Sequence, residues 1–313
     1  MNAFYECVLF AAGLAFGSFL NVCITRIPRD ESVIRPRSHC RQCGKPVRGF
    51  DNIPVVSFLL LRGHCRDCGT RIGLRYPAVE LLTGAVFAAC YAFYGPTLLT
   101  LKFCIFAFLL IGLIFMDAET GLLPHEFTYT GIVLGLAFAW VVPYDSTGTW
   151  FLLLLFRQHI ENIRALALLD ATIGAVVGAA FFYLAWAMYY LARKRHGLGF
   201  GDIALIAMSG AFLGLKLNLL VIFCGPILTV LYILVLLARE PFRRRSAVET
   251  SPARGEHQAM SGDAAQEPAA DDDVPQEASF LQRELPFGVF LGACSLIVIF
   301  FGEVMWAWYL ARF

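Results

Sequence analysis

The sequence predicts an all-α polytopic membrane protein with about eight transmembrane helices and a small cytoplasmic loop domain. Apolar residues make up 58% of the 313 residues and charged residues 16%, whereas soluble domains average about 45–50% and about 25%. Apolar runs that approach the roughly 20 residues needed to cross a bilayer recur along the whole chain. The net charge of +1 excludes a general nucleic-acid binder, whose signature would be a strongly basic domain.

Eight apolar runs are predicted to cross the membrane as helices in contact with lipid. They cover residues 5–25, 78–95, 98–117, 126–143, 167–191, 202–217, 219–238 and 287–310. The sixth is the shortest, and we expect a tight connection at Lys216–Asn218 to join it to the seventh. These runs divide the chain into a first helix (1–25), a loop domain (26–77), a transmembrane core (78–241), a linker (242–285) and a last helix (286–313).

The basic residues predict the orientation of the chain. Residues 26–78 hold eleven Lys and Arg against four Asp and Glu, and two further basic clusters follow the fifth and seventh runs, at 193–195 and 243–245. Short loops rich in Lys and Arg stay on the cytoplasmic side. Eight alternating crossings then place the N-terminus outside and all three basic segments inside.

The linker is predicted to be disordered. Residues 242–285 are rich in Ala, Glu, Asp, Pro and Ser and contain almost no aromatic residue. Such a composition buries too little apolar surface to offset the entropy lost on ordering.

Four of the ten cysteines form two CxxC pairs in the loop domain, Cys40 with Cys43 and Cys65 with Cys68. Two such turns supply four thiolates for tetrahedral Zn²⁺, and four thiolates leave no open position for catalysis. A structural zinc ion is therefore predicted, with Arg41 and Arg66 offsetting the charge of the thiolates. Reduced thiols without metal, or a redox pair, are the alternatives.

Two aspartates are predicted to lie at the same depth near the cytoplasmic surface. Asp117 ends the third run, and Asp202 opens the sixth behind glycines at 197, 199 and 201. Acidic residues in spanning helices are costly and are functional candidates by default. Two carboxyl groups in one apolar site share a proton, which suits peptide hydrolysis without a covalent intermediate. Alternatively, each aspartate caps a helix.

Several motifs resemble those of the bacterial type IV prepilin peptidases, which are bifunctional leader peptidase/N-methyltransferases. The motifs are GSFLNV (17–22), DNIP (51–54), RGHCRDCG (62–69), RYPAVELLTG (75–84), LLP (122–124), GFGD (199–202) and LPFG (285–288). The resemblance covers nearly the whole chain except 144–166 and 242–285.

The resemblance implies an aspartic protease of the GxGD type in the bacterial inner membrane, with Asp117 and Asp202 at the catalytic positions. It implies prepilins or type II secretion pseudopilins as substrates, cut after a Gly that follows a short basic leader. It also implies methylation of the new N-terminus by S-adenosylmethionine, with the cysteine segment tied to that step. The alternatives are an ion-relaying transporter that uses both aspartates, a peptidase without methylation, and a zinc-stabilised assembly factor without turnover.

Overall fold

The computed structural model describes residues 2–144, 161–194, 199–249 and 286–312. Its helices are α1 (Asn2–Arg26), the short α2 (Val56–Leu60), α3 (Arg75–Tyr94), α4 (Leu98–Thr120), α5 (His125–Val141), α6 (Ile163–Arg193), α7 (Phe200–Glu249) and α8 (Phe287–Leu310). Two 3₁₀ turns, Ile27–Arg29 and Gly49–Asn52, lie in the loop domain.

The predicted all-α membrane fold is confirmed. Each of the eight apolar runs is helical, and six helices of the described ranges are long and apolar enough to cross a membrane: α1, α3, α4, α6, α7 and α8. The α5 helix has 17 residues, and α7 contains both the sixth and the seventh predicted runs. A membrane favours this outcome because a helix satisfies all its backbone polar groups internally.

The predicted break between the sixth and seventh runs is misplaced. Residues 216–218 are helical, and the only non-helical residue within α7 is Gly214, at φ 75° and ψ 179°. Lys216 and Asn218 face partners on other helices instead of water. Lys216 donates to the Glu303 carboxylate at 2.7 Å, and Asn218 donates to the Gly174 carbonyl at 2.9 Å.

Helix α4 lies at the centre of the first compact unit, which comprises residues 1–228 and 286–313. It packs against α1, α3, α5 and α8. Phe103, Phe106 and Leu110 are fully buried, and the Phe106 ring stacks on Phe212 with 4.5 Å between the ring centroids. Of the six candidate spans, α4 is the most buried, and it carries Asp117 in its last turn.

The second unit comprises residues 229–285. Its described part, 229–249, continues α7 as a helix. Helix therefore occupies the first residues of the predicted linker, 242–249. The rest of that linker lies outside the described residues, and so does most of 144–166, the stretch between the fourth and fifth runs that we expect to form an external loop.

Candidate functional site

Asp117 lies in the last turn of α4, and its carboxyl group binds the beginning of another helix. Its side chain is buried, with 6% of the residue exposed. Its Oδ2 atom accepts the Val289 backbone N–H at 2.9 Å, and Val289 belongs to the first turn of α8. The first N–H groups of a helix lack partners within the helix and favour an anionic acceptor. The α8 N-terminus thus holds this carboxyl group in place.

Asp202 lies in the first turn of α7 and is 8% exposed. Its Oδ2 atom accepts the Gly199 backbone N–H at 3.3 Å, while its own N–H donates to the Gly199 carbonyl at 3.2 Å. The first of these bonds is the half of a capping box in which the third residue of a helix binds the N–H of the capping residue, and the second is a backbone turn bond. Asp202 was predicted as a possible N-cap, but it is the third residue of α7, and its carboxyl group binds the N–H of the residue before the helix.

The structure places the two aspartates around a common neighbour, Leu123. Leu123 packs against Gly201, which precedes Asp202, and against Gly288, which adjoins the Asp117 carboxyl group. A Cβ atom on Gly201 would lie 2.6 Å from the Leu123 Cβ, and one on Gly288 would lie 2.9 Å from the Asp117 Oδ2. Glycine is thus required on both sides, because any larger residue would displace Leu123 or the carboxyl group.

An ion pair next to Asp117 joins three helices. Arg75, the first residue of α3, donates to the Glu119 carboxylate at 2.6 and 2.8 Å and to the Thr25 hydroxyl at 3.0 Å. Glu119 follows Asp117 by two residues on α4. Sequence reasoning missed this role for Arg75 and Glu119, and also missed the backbone N–H of Val289, since neither pairing follows from local spacing.

The four cysteines of the loop domain lie on two similar turns. The backbone carbonyl of Cys40 accepts the Gly44 N–H at 2.8 Å, and that of Cys65 accepts the Gly69 N–H at 2.9 Å. Both glycines have positive φ, 70° and 69°, which costs glycine little. Each turn thereby directs a CxxC pair towards the other pair.

The sulfur atoms of these cysteines form a cluster compatible with zinc. All four lie within 4.8 Å of one another, and the Cys40 and Cys68 sulfurs are 3.8 Å apart. Tetrahedral Zn²⁺ with sulfur at about 2.3 Å requires sulfur–sulfur distances of about 3.8 Å. Thr70, through its backbone and its hydroxyl, lowers the pKa of Cys68 to about 6, which favours the thiolate that metals bind.

Arg66 has a partner that the sequence did not predict. Its guanidinium forms a fork with the Asp51 carboxylate, at 2.7 Å from Nη2 and 2.9 Å from Nε. Its hydrogen bonds hold the pKa of Asp51 below its usual range. Arg66 therefore connects the second CxxC turn to the DNIP segment.

The fold and the site define a class: a multi-pass membrane protein with two buried carboxyl groups, each bound by a backbone N–H at the beginning of a helix, and a separate four-cysteine cluster. Comparisons with known families agree with this class. The model of the Bacterial Peptidase A24 N-terminal domain matches residues 11–94, and that of the Type IV leader peptidase family matches residues 104–234. The chain belongs to the type IV leader peptidase family.

Several curated relatives carry the name "Prepilin leader peptidase/N-methyltransferase". One from Myxococcus xanthus (strain DK1622) is 39% identical over 209 residues, which is 66% of this chain and 55% of the relative. One from Neisseria gonorrhoeae is 36% identical over 69% of this chain and 77% of the relative. One from Aeromonas hydrophila is 27% identical over 99% of this chain and 95% of the relative. No solved structure matches the chain significantly.

Proposed function

We propose that the protein is a membrane aspartic endopeptidase that removes the short basic leader of type IV prepilins or type II secretion pseudopilins. It then N-methylates the residue exposed by cleavage. The observation that carries the proposal is the buried pair of Asp117 and Asp202 on two helices, in a chain of the type IV leader peptidase family. No contact among the described residues favours the ion-relay alternative.

The two carboxyl groups divide the chemistry of hydrolysis. Repulsion between two close carboxylates keeps one of them protonated. The ionised member takes a proton from a water molecule, whose oxygen attacks the scissile carbonyl, while the protonated member donates a hydrogen bond to the carbonyl oxygen. The N-termini of α7 and α8 stabilise the negative charge of the pair through the Gly199 and Val289 N–H groups.

The site is proposed to face the cytoplasm at the inner membrane surface. A prepilin carries a basic leader followed by an apolar helix, so its cleaved bond lies where the leader leaves the bilayer. Asp117 is in the last turn of α4 and Asp202 in the first turn of α7, so the pair meets that bond at the surface. Arg26, Arg29 and the other basic residues of the loop domain set this orientation.

The second activity needs a methyl donor and is tied to the cysteine segment. We assign S-adenosylmethionine as the donor; when bound, it supplies the methyl group from its sulfonium sulfur to the new terminal amine, which loses a proton. We assign Zn²⁺ to Cys40, Cys43, Cys65 and Cys68, where four thiolates give it a structural role. It would fix residues 26–77, which have little apolar core of their own.

Replacement of either aspartate tests the peptidase. We expect Asp117→Asn and Asp202→Asn each to abolish leader removal from a purified prepilin, with the double variant hardly worse, because the two groups act as a unit. Asp30→Asn, an exposed site at φ 56° that Asn tolerates, is the matched control. Product mass measures cleavage and methylation separately, and methylation of a precleaved peptide shows that the variants fold. Near-normal cleavage by either single variant contradicts the assignment.

A further inference from the structure

A cavity of about 380 Å³ lies between α1 and the loop domain. Ala15, Ser18 and Val22 of α1 form one wall, and residues 33–38 and 52–54 contribute to the others. Its volume falls within the range of small-molecule sites, about 300–1,000 Å³. A second cavity, beside Lys102 and Asp170, holds only about 10 Å³.

The cavity contains a buried positive charge. Arg26 lines it, is only 6% exposed, and donates to the Ser32 carbonyl at 2.9 Å and the Pro36 carbonyl at 2.7 Å. Both acceptors are neutral, and no carboxylate in the described ranges is within ion-pair distance of Arg26. Arg37 adds a second cation to the lining. Burying a charge is costly unless it is paired, so the cavity favours a ligand with an anionic group.

The Glu80 carboxylate lies next to the cavity but is not part of its lining. Glu80 accepts the Val55 N–H at 2.7 Å, and the neighbouring residue Pro54 lines the cavity together with Ser18. The cavity thus has guanidinium groups in its lining and a buried carboxylate behind it. This arrangement suits a ligand that carries charges of both signs.

The walls of the cavity are attached to both CxxC turns. Ser38 lines the cavity, precedes Cys40 by two residues and accepts the Val47 N–H at 2.8 Å. Asn52 lines it from the segment in which Asp51 pairs with Arg66, between the second pair of cysteines. Ordering of the four-cysteine cluster therefore orders the cavity from two sides.

We propose that this cavity is the binding site of the methyl donor, with the donor's carboxylate facing Arg26 and Arg37. The proposal rests on the methyltransferase activity proposed above. S-Adenosylmethionine carries a carboxylate, an ammonium and a sulfonium, and a nucleoside that fits the apolar surface of Ala15, Val22 and Ile34. A lipid headgroup fits less well, because carbonyl groups of the loop domain hold the Arg26 guanidinium and loop residues form much of the wall.

Direct binding tests the proposal. S-Adenosylhomocysteine is titrated calorimetrically into the full-length protein in phosphatidylcholine nanodiscs, so that no turnover occurs. Arg37→Gln removes one cation from the lining, and Ala15→Phe fills the cavity. We expect Arg37→Gln to raise the Kd about tenfold or more and Ala15→Phe to abolish binding, while both variants still cleave the leader. Arg29→Gln makes the same charge change at an exposed residue outside the lining, and its Kd should match that of the unmodified protein.

The outcomes separate this site from the proposed activity. Unchanged affinity in Arg37→Gln and Ala15→Phe, with methyl transfer intact, overturns the cavity assignment alone. A protein that neither binds S-adenosylhomocysteine nor transfers methyl groups overturns the methyltransferase function together with it. If mass spectrometry finds an anionic lipid on the protein that Arg37→Gln loses while its affinity for S-adenosylhomocysteine is unchanged, the cavity is a headgroup site and the proposal fails.

Discussion

At the residue scale, the position of the Asp117 carboxyl group depends on a glycine of α8. The Val289 N–H holds Oδ2, and a Cβ atom on the preceding Gly288 would lie 2.9 Å from that oxygen and 3.0 Å from the Leu123 Cδ1. Gly288→Ala should therefore shift the carboxyl group without removing it. Because misplacement by about 1 Å can cost a hundredfold in rate, we expect leader cleavage to fall about tenfold to a hundredfold, measured as kcat/KM on a prepilin.

Gly302→Ala provides the matched control on the same helix. Its Cβ atom would be as crowded, at 2.9 Å from both Leu217 and Val298, but it meets no aspartate. Equal losses of cleavage in the two variants would mean that Gly288 acts through helix packing alone.

The sequence singles out both aspartates as candidates, because an acid in an apolar run is conspicuous. It did not predict their partners. Asp117 and Val289 are separated by 172 positions in the chain, and a backbone N–H leaves no trace in the residue type. The sequence did place Asp202 at the beginning of a helix, because a Gly-rich approach followed by Asp is a local pattern, but its position is the third residue and not the cap.

At the element scale, Gly214 separates two helical halves of α7. Its φ of 75° and ψ of 179° lie in a region essentially restricted to glycine, and a Cβ atom there would collide with the Asp170 carboxylate. We expect Gly214→Ala to lower the free energy of unfolding, measured by titration with SDS, through both strain and collision.

Gly95→Ala isolates the contribution of backbone strain. Gly95 has nearly the same conformation, φ 66° and ψ −163°, with nothing within 4 Å of its Cβ position. Strain alone costs on the order of 1–3 kcal/mol, and overpacking adds about 1–3 kcal/mol. Gly214→Ala should therefore be the more destabilising by about the second amount. Equal losses would show that Asp170 moves aside freely.

The sequence misplaced this break for an identifiable reason. Lys216 and Asn218 are polar in an apolar run, and polar residues usually mark a loop. In the structure, Glu303 of α8 and the backbone of α6 supply their partners, so they stay within the helix. Tertiary contacts of this kind are invisible in a single sequence, whereas the positive φ at Gly214 is a property that only glycine signals.

At the scale of the whole molecule, the two kinds of site lie on different parts of the chain. The cysteine cluster and the cavity fall within residues 11–94, and both aspartates fall within 104–234. Hydropathy predicted the helices, because a bilayer admits few other structures. It could not predict the cavity, which depends on how the loop domain folds back onto α1.

Loss of the metal should therefore affect the two activities unequally. We expect the purified protein to contain about one equivalent of zinc, lost on replacement of Cys40 and Cys43 by Ser. Metal binding supplies folding free energy to small domains of this kind, so without it the cavity walls loosen and methyl transfer falls steeply. Cleavage should persist, since Asp117 and Asp202 are held by the N-termini of α7 and α8.

The control for this separation is Cys7→Ser, which changes an exposed thiol outside the cluster and should leave metal content and both activities unchanged. Zinc content is measured by mass spectrometry of the metal, and product mass reports both reactions in one sample. In protein stripped of metal by a chelator, added Zn²⁺ should restore methylation. Metal-free protein that methylates at the full rate would refute a structural zinc. A parallel loss of cleavage would instead mean that the loop domain also positions α4, a route that the Arg75–Glu119 ion pair offers.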